Sequence, residues 1–241
     1  MSGVLLRAEG VGKRFGGFAA LQEIDLEVRA GERLGLIGPN GSGKSTFVNC
    51  LGGAFPGHDG RFVFDGRPLA GLAPHRRSHL GLARTFQLPR PFNSMTVLEN
   101  VSLPLLFGPA RMASESAAQA RAMECLAEVD LAAKARARPR ELTQVDQRRL
   151  ELARAIAHRP RLLVADEAMA GLSHTEVDQI LGLLFRLNAA GTTVIMIEHV
   201  MRAVTEFSER LVVFVAGRKI ADGDPRAVLS LPEVEEAYLG E

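Results

Sequence analysis

The sequence predicts an α/β protein whose central sheet is largely parallel. One observation is a short apolar strand at residues 33–37, which leads into a glycine-rich loop and then a helix at 45–51. A second is a set of later apolar runs at residues 162–165, 193–197 and 211–215. Runs of this kind are typical of strands buried on both faces of a parallel sheet. The third is helical sequence between them, as at 176–189, because alternating strands and helices favour that architecture.

The first quarter of the chain contains further predicted strands. Residues 4–8 and 24–28 have strand character, and the second segment alternates strongly between apolar and polar side chains. Residues 61–64 form another predicted strand, and Asp65-Gly66 indicates a turn after it.

The middle of the chain has a different composition. From about residue 97 to residue 159 it is rich in Ala, Leu, Glu and Arg and has no convincing strand. We therefore expect a helical sub-domain inserted into the α/β core. The predicted division is a single domain over residues 1–241, with its core at 1–88 and 160–241 and the sub-domain at 89–159.

Composition limits the classes of protein to consider. The 241 residues are 46% hydrophobic and 24% charged, as in an ordinary globular protein. The net charge of +1 implies no general preference for nucleic acid or anionic membranes. Cys50 and Cys125 lack metal-ligand or redox spacing and suit a reducing compartment. We do not expect the first ten residues to form a signal peptide, because they carry Arg7 and Glu9 and have no long apolar core. No apolar run approaches the ~18 residues that span a bilayer. If the protein works at a membrane, another chain is expected to span it.

The glycine-rich loop has the spacing of a phosphate-binding loop, G-x-x-x-x-G-K-[ST]. In such a loop successive backbone N–H groups converge on an anion, and the following helix adds the positive end of its dipole. Lys44 can reach the β- and γ-phosphates, and the Ser45 hydroxyl can bind Mg²⁺. The alternative is a glycine-rich surface turn, which the preceding strand and the Lys-Ser pair disfavour. The loop consists of Gly38, Pro39, Asn40, Gly41, Ser42, Gly43, Lys44, Ser45 and Thr46.

Two acidic residues follow the apolar run at 162–165. Asp166 and Glu167 are therefore expected at the carboxyl edge of the sheet, where ligands bind in open α/β folds. Asp166 would hold Mg²⁺ directly or through water, and Glu167 would act as general base on an attacking water. Two acids after a strand can also be a helix cap or a solvated pair, so their meaning depends on the phosphate-binding loop upstream.

The order of these segments resembles the ATPases of the ATP-binding-cassette (ABC) family from end to end. The resemblance implies a P-loop NTPase core with a mostly parallel sheet, an N-terminal antiparallel β portion and an inserted α-helical sub-domain. It also implies that Phe15 stacks on adenine, although Phe18 is a rival and a core role is the alternative. Gln87 matches the glutamine that meets Mg²⁺ or water at the junction with the sub-domain. His199 matches the histidine that contacts the γ-phosphate, so that Glu167 and His199 are the implied catalytic pair.

Several local strings resemble the ATPases of bacterial branched-chain amino-acid importers. They are residues 84–87, 95–101, 148–154 and 237–241. This resemblance implies ATP hydrolysis with Mg²⁺ at the cytoplasmic face of the plasma membrane. The implied partners are integral-membrane permease subunits, a second ATPase subunit and, indirectly, a periplasmic binding protein, with no nucleic acid. Residues 87–99 would grip a permease helix, and Pro89, Pro91 and Phe92 either form an apolar part of that groove or an ordinary connector.

The segment matching the family's signature departs from the usual Leu-Ser-Gly-Gly-Gln. It is Leu142 followed by Thr143, Gln144, Val145 and Asp146. The resemblance implies that these residues contact the γ-phosphate bound by the opposite subunit. Asp146 would then repel it by ~4 kcal/mol at about 4 Å and an effective dielectric near 20. The alternative is that Asp146 points away and caps the helix that starts here. If the signature is weak, the resemblance predicts an asymmetric heterodimer with one dominant hydrolytic site, although a homodimer is possible.

Other members of the fold family remain as alternatives. They are an ATPase for lipopolysaccharide export or for urea or amide uptake, a non-transport protein that uses ATP as a switch, and a module that binds ATP without hydrolysing it. The string at residues 95–101 and the chain end disfavour lipopolysaccharide export, but these strings do not specify the cargo of an importer. Glu167 with His199 disfavours the module that binds ATP without hydrolysing it.

Overall fold

Two β-sheets and the helices around them form the structure, a computed structural model that describes residues 3–85, 91–108 and 112–239. The strands are β1 (Val4–Phe15), β2 (Phe18–Arg29), β3 (Arg33–Ile37), β4 (Asp59–Phe64), β5 (Arg67–Pro68), β6 (Leu82–Arg84), β7 (Leu162–Asp166), β8 (Thr193–Ile197), β9 (Arg210–Val215) and β10 (Arg218–Gly223). The helices are α1 (Lys44–Gly52), α2 (Pro74–His79), α3 (Val97–Phe107), α4 (Glu115–Glu128), α5 (Gln144–Ile156), α6 (His174–Ala189), α7 (Met201–Phe207), α8 (Pro225–Leu229) and α9 (Pro232–Leu239).

The larger sheet has six strands in the order β10-β9-β3-β8-β7-β6. Its strands pair in parallel except for β10, which runs antiparallel to β9. The apolar runs of the sequence are β7, β8 and β9, and every residue of β7 and β8 is buried. Leu163 faces one hydrophobic core and Val164 the other, as alternation along a strand requires. Both faces of this sheet are therefore covered, and the prediction of buried parallel strands is confirmed.

The smaller sheet is antiparallel, in the order β2-β1-β4-β5. Its first two strands are longer than predicted, because β1 continues to Phe15 and β2 already begins at Phe18. Phe15 and Phe18 are paired residues at the end of this hairpin, on either side of a Gly16-Gly17 turn. The extension of the first strand was not predicted, because the side chains just before the turn are exposed and do not form an apolar pattern. The hairpin matters because it carries both aromatic candidates for adenine stacking.

Helices α3, α4 and α5 connect β6 to β7, and the described residues between those two strands contain no strand. Each helix has a side-chain cap at its N-terminus, from Thr96, Ser114 and Thr143 respectively. Such caps satisfy backbone N–H groups that the first helical turn leaves unpaired. This region corresponds to the predicted helical sub-domain, while its exact limits at 89 and 159 stay a prediction.

Candidate nucleotide-binding site

The glycine-rich loop joins the end of β3 to the start of α1. Gly38, Gly41 and Gly43 have φ angles of 151°, 76° and 106°, which side chains disfavour. A Cβ on Gly38 would lie 2.0 Å from the Phe214 carbonyl oxygen, and one on Gly43 would lie 2.7 Å from that of Ala20. Both the backbone conformation and the lack of space therefore require glycine at these two positions.

Lys44 places its ammonium group inside the curve of this loop. The residue is only 6% exposed, and Nζ donates to the carbonyl oxygens of Gly38 (2.5 Å) and Pro39 (3.0 Å). It also lies 3.3 Å from the Ser42 hydroxyl oxygen. The positive charge is thus held where the loop is expected to receive phosphates.

A cavity of about 260 Å³ lies on the loop and brings together residues that are far apart in the sequence. Its walls come from the hairpin, the loop with the start of α1, and the ends of β7 and β8. The lining residues are Phe15, Phe18, Ala20, Asn40, Gly41, Ser42, Gly43, Lys44, Ser45, Thr46, Glu167 and His199. Most of the predicted nucleotide-binding residues and both predicted catalytic residues therefore meet in one place.

The two aromatic residues of the hairpin differ in how they are held. Phe15 is 46% exposed, and its ring packs edge-to-face against the ring of Phe55, with 5.4 Å between the two centroids. The Lys13 ammonium nitrogen lies 5.3 Å from the centroid of the Phe15 ring. Phe18 is 63% exposed. Phe15 is thus the better ordered platform, although both rings line the cavity.

Replacing Phe15 with alanine should weaken ATP binding more than replacing Phe18. Loss of one stacking platform costs about 1–3 kcal/mol, which is roughly 5- to 150-fold in Kd. Titration of each variant with a fluorescent ATP analogue measures both constants, and Phe92→Ala, an exposed phenylalanine outside the cavity, is the control. A larger loss for Phe18→Ala than for Phe15→Ala would reverse the assignment.

Asp166 ends β7 and is 3% exposed. One carboxylate oxygen accepts from Nη2 of Arg84 at 2.6 Å, and its backbone N–H donates to the Thr85 hydroxyl at 3.0 Å. Arg84 also donates to the Asn49 side chain on α1, at 2.6 Å. The sequence pattern did not single out Arg84 and Thr85 as partners of this acid, because they precede it by 82 and 81 residues. Arg84 ends the short strand β6, and Thr85 is the next residue.

Glu167 has a left-handed backbone, with φ of 49°, which is uncommon for a residue with a side chain. Its N–H donates to the Ile197 carbonyl at 2.8 Å, so the end of β8 holds this conformation. The Glu167 carboxylate oxygen Oε1 lies 3.2 Å from Nε2 of His199, and both side chains line the cavity. Non-glycine residues in this conformation are frequent where a side chain has to be aimed at a ligand. The structure therefore brings the predicted base and the predicted histidine together.

In the signature segment, Thr143 is the N-cap of α5. Its hydroxyl accepts from the Asp146 N–H at 3.3 Å and donates to the Asp146 carboxylate at 2.8 Å. Asp146 is 3% exposed and forms ion pairs with Lys134 and, at 3.3 Å, with Arg149. Burial alone would raise the pKa of Asp146, but the bonds from Lys134 and Thr143 and the charge of Arg149 hold it below its usual value. The N-cap of α5 is thus Thr143 and not Asp146, while the Asp146 carboxylate is paired with groups of its own chain.

Gln144 and Val145 also have neighbours within the same chain. Nε2 of Gln144 donates to the Ala170 carbonyl at 3.2 Å, in the loop that follows Glu167. The Val145 side chain belongs to the hydrophobic core. Contact of this segment with a nucleotide on another subunit stays a prediction. Gln87, the remaining predicted site residue, and Pro89 lie outside the described residues.

Comparison with known proteins identifies the class of this protein. A family model described as "ABC transporter" matches residues 21–170, so the chain belongs to the ABC transporter family and is an ABC ATPase domain. The resemblance inferred from the motifs is thereby confirmed, and so is the predicted fold class.

The chain is similar over its whole length to particular members. The high-affinity branched-chain amino acid transport ATP-binding proteins BraF of Pseudomonas aeruginosa and LivG of Escherichia coli are each 37% identical to it, with 100% of both chains covered. A nucleotide-free ATP-binding cassette from an ABC transporter superposes with a TM-score of 0.90 at 31% identity, covering 99% of this chain and 100% of that one. The ADP conformation of MJ1267, an ATP-binding cassette of an ABC transporter, gives 0.90 at 31% identity with both chains fully covered.

Proposed function

We propose that this chain is the ATP-hydrolysing subunit of a bacterial importer for branched-chain or related amino acids. The observation that carries the proposal is its end-to-end similarity to BraF and LivG, which are named as ATP-binding proteins of branched-chain amino acid transport. The cavity supports the hydrolytic part, because it joins a phosphate-binding loop to a carboxylate and a histidine.

In this proposal the adenine of ATP stacks on Phe15 and the phosphates enter the loop at residues 38–46. Lys44 exchanges loop carbonyl contacts for the β- and γ-phosphates. Glu167 orients a water and accepts its proton as the water oxygen bonds to the γ-phosphorus and the bond to the bridging oxygen of ADP breaks. His199, 3.2 Å from Glu167, donates to the γ-phosphate oxygens as their charge develops.

The donor set at the sheet edge suits Mg²⁺. Ser45 lines the cavity and Asp166 ends β7, and hydroxyl and carboxylate oxygens are donors that Mg²⁺ prefers. We assign the ion to Ser45 and Asp166, together with Gln87. Bound Mg²⁺ would neutralise phosphate charge, and Arg84 would orient Asp166 for it.

A second ATPase subunit is proposed to complete the site. Thr143 and the backbone around it would meet a nucleotide on that subunit, while the partner's signature would cover the cavity described here. The carboxylate of Asp146 is neutralised by Lys134 and Arg149, so its charge does not by itself prevent closure. Gln144 and Val145 still replace residues that allow close backbone approach, which favours an asymmetric heterodimer.

The proposed permease site is a groove of about 750 Å³ between α2, α3 and α5. Phe107, 80% exposed, and Phe92, 43% exposed, give it an apolar wall, and the Arg154 guanidinium lies 5.3 Å from the Phe92 ring centroid. Large exposed apolar side chains around a groove are typical of a protein-binding surface. We propose that an amphipathic cytoplasmic helix of the permease occupies it. Phe92 thus supports the groove interpretation of residues 87–99, and Pro91 adjoins it in sequence.

Within the described part of the chain, no helix is both long enough and apolar enough to cross a bilayer. We propose that the permease holds this subunit at the cytoplasmic face of the plasma membrane. A periplasmic binding protein would deliver the amino acid to the opposite face.

Phe107→Asp is expected to weaken co-purification with the proposed permease subunits by at least about tenfold, because a charge would replace an apolar anchor. The same variant should lose ATP-driven uptake of radiolabelled leucine in proteoliposomes. Met123→Asp, which changes an exposed apolar residue on α4 outside the groove, is the matched control. Equal assembly of both variants would contradict the groove assignment, and an unmodified complex that takes up no branched-chain amino acid would contradict the proposed cargo.

A further inference from the structure

Glu198 is a buried acid to which the mechanism above assigns no part. It follows β8, precedes His199 and is 2% exposed. Its carboxylate oxygen Oε1 accepts the backbone N–H of Met169 at 2.8 Å, across 29 residues of sequence. This contact links the segment carrying the histidine to the segment carrying the base.

The link has a counterpart one residue earlier. The Ile197 carbonyl accepts the N–H of Glu167 at 2.8 Å, so two adjacent residues at the end of β8 hold two N–H groups of the same loop. The first of these two N–H groups belongs to Glu167 itself, which has the left-handed φ of 49°. A backbone of this kind persists only when its surroundings hold it. The carboxylate of Glu198 is therefore part of what fixes the direction in which Glu167 points.

The electrostatics of Glu198 fit a structural acceptor better than a charge. The pKa of Glu198 is raised to about 7, mainly by burial and to a lesser extent by the negative charge of Glu167. The N–H groups of Met169 and His199 and the positive charge of Arg148 act in the opposite direction and lower the pKa. At neutral pH the side chain is therefore partly protonated. Both forms keep an oxygen that can accept from Met169, so the link does not need the negative charge.

We propose that Glu198 is a positioning residue for hydrolysis, which holds the loop at residues 167–169 so that Glu167 stays aligned with His199. This rests on the proposed roles of Glu167 and His199. Glu198 does not touch the reacting atoms in this assignment, and its effect is exerted through the backbone of Met169.

The test uses the complete transporter with Glu198→Met and Glu198→Gln. Methionine matches the length of glutamate but lacks an oxygen acceptor, whereas glutamine keeps one. A catalytic group misplaced by about 1 Å costs on the order of 10²-fold in rate. We expect Glu198→Met to lower kcat for ATP by roughly 10- to 100-fold with KM within about twofold, and Glu198→Gln to retain kcat within about threefold.

Three results would overturn the proposal. One is equal kcat in Glu198→Met and the unmodified protein, and another is a loss confined to KM. The third is a folded Glu198→Gln variant whose kcat is lower than that of the unmodified protein by tenfold or more. This result overturns the proposal even if Glu198→Met does not fold. Glu167→Gln, assayed in parallel, distinguishes failure of this proposal from failure of the proposed function. Full hydrolysis in Glu167→Gln would show that Glu167 is not the general base, independently of the role of Glu198.

Discussion

Glu167→Gln is expected to reduce ATP hydrolysis by roughly 10²- to 10⁴-fold while leaving ATP binding nearly unchanged. That is the usual contribution of a positioned general base, and glutamine keeps the shape of the side chain but cannot take the proton. The Glu167 backbone is held by Ile197, so the substitution should not alter the loop. Phosphate release under steady-state conditions measures the effect, with Glu236→Gln on the exposed side of α9 as the control.

The same variant should trap the closed assembly, because ATP remains bound between subunits when it is not hydrolysed. Its mass in solution, measured by light scattering with and without Mg-ATP, reports closure. An ATP-dependent homodimer would show that Thr143, Gln144, Val145 and Asp146 still serve as a signature, and would contradict the obligatory heterodimer. A monomer that binds ATP would support a different partner subunit. Undiminished hydrolysis would show that Glu167 is not the base.

Lys44→Ala should have the second large effect, on nucleotide affinity. The loop encloses the ammonium group of Lys44, and Lys44 lines the cavity on the side where the phosphates are expected to bind. Hydrogen bonds to charged groups are worth about 1.5–3 kcal/mol each. The expected loss in ATP affinity is therefore roughly 10- to 150-fold. At an ATP concentration of about 100 Kd for the unmodified chain, its stabilisation of ~2.7 kcal/mol should fall to between ~0.3 and ~1.4 kcal/mol in the variant. The shift of Tm on adding Mg-ATP measures this.

Lys219→Ala, which removes a lysine outside the cavity, should retain the full ATP-induced shift in Tm. In the assembled transporter, Lys44→Ala also tests whether the two ATP sites are unequal.

If the site on this chain is dominant, Lys44→Ala should reduce ATP turnover more than the corresponding lysine substitution in the second ATPase subunit does. Equal losses would count against one dominant site, and an unchanged Tm shift in Lys44→Ala would contradict the role of the loop.

The fold was predictable wherever a local pattern reflected burial. The continuous apolar runs of β7, β8 and β9 identified them because both faces of their sheet are covered. The three-residue strand β6 and the partly exposed β10 were not predicted, since neither is long or apolar enough to stand out. The hairpin extension to Phe15 and Phe18 was missed for a similar reason, because its end is exposed and polar.

The sequence by itself determined the phosphate-binding loop, the acids after β7 and the histidine after β8. Each is a short motif whose local backbone demands, such as the positive φ angles of Gly38 and Gly43, are met within a few residues. Only the tertiary structure decided the environment of Asp146 and the contact between Glu198 and Met169. These depend on groups outside the local motif. One is Lys134, 12 residues before Asp146, and the other is the loop after Glu167, 29 residues before Glu198. A buried charge or acceptor takes whichever partner the fold places beside it, and no local pattern records which one that is.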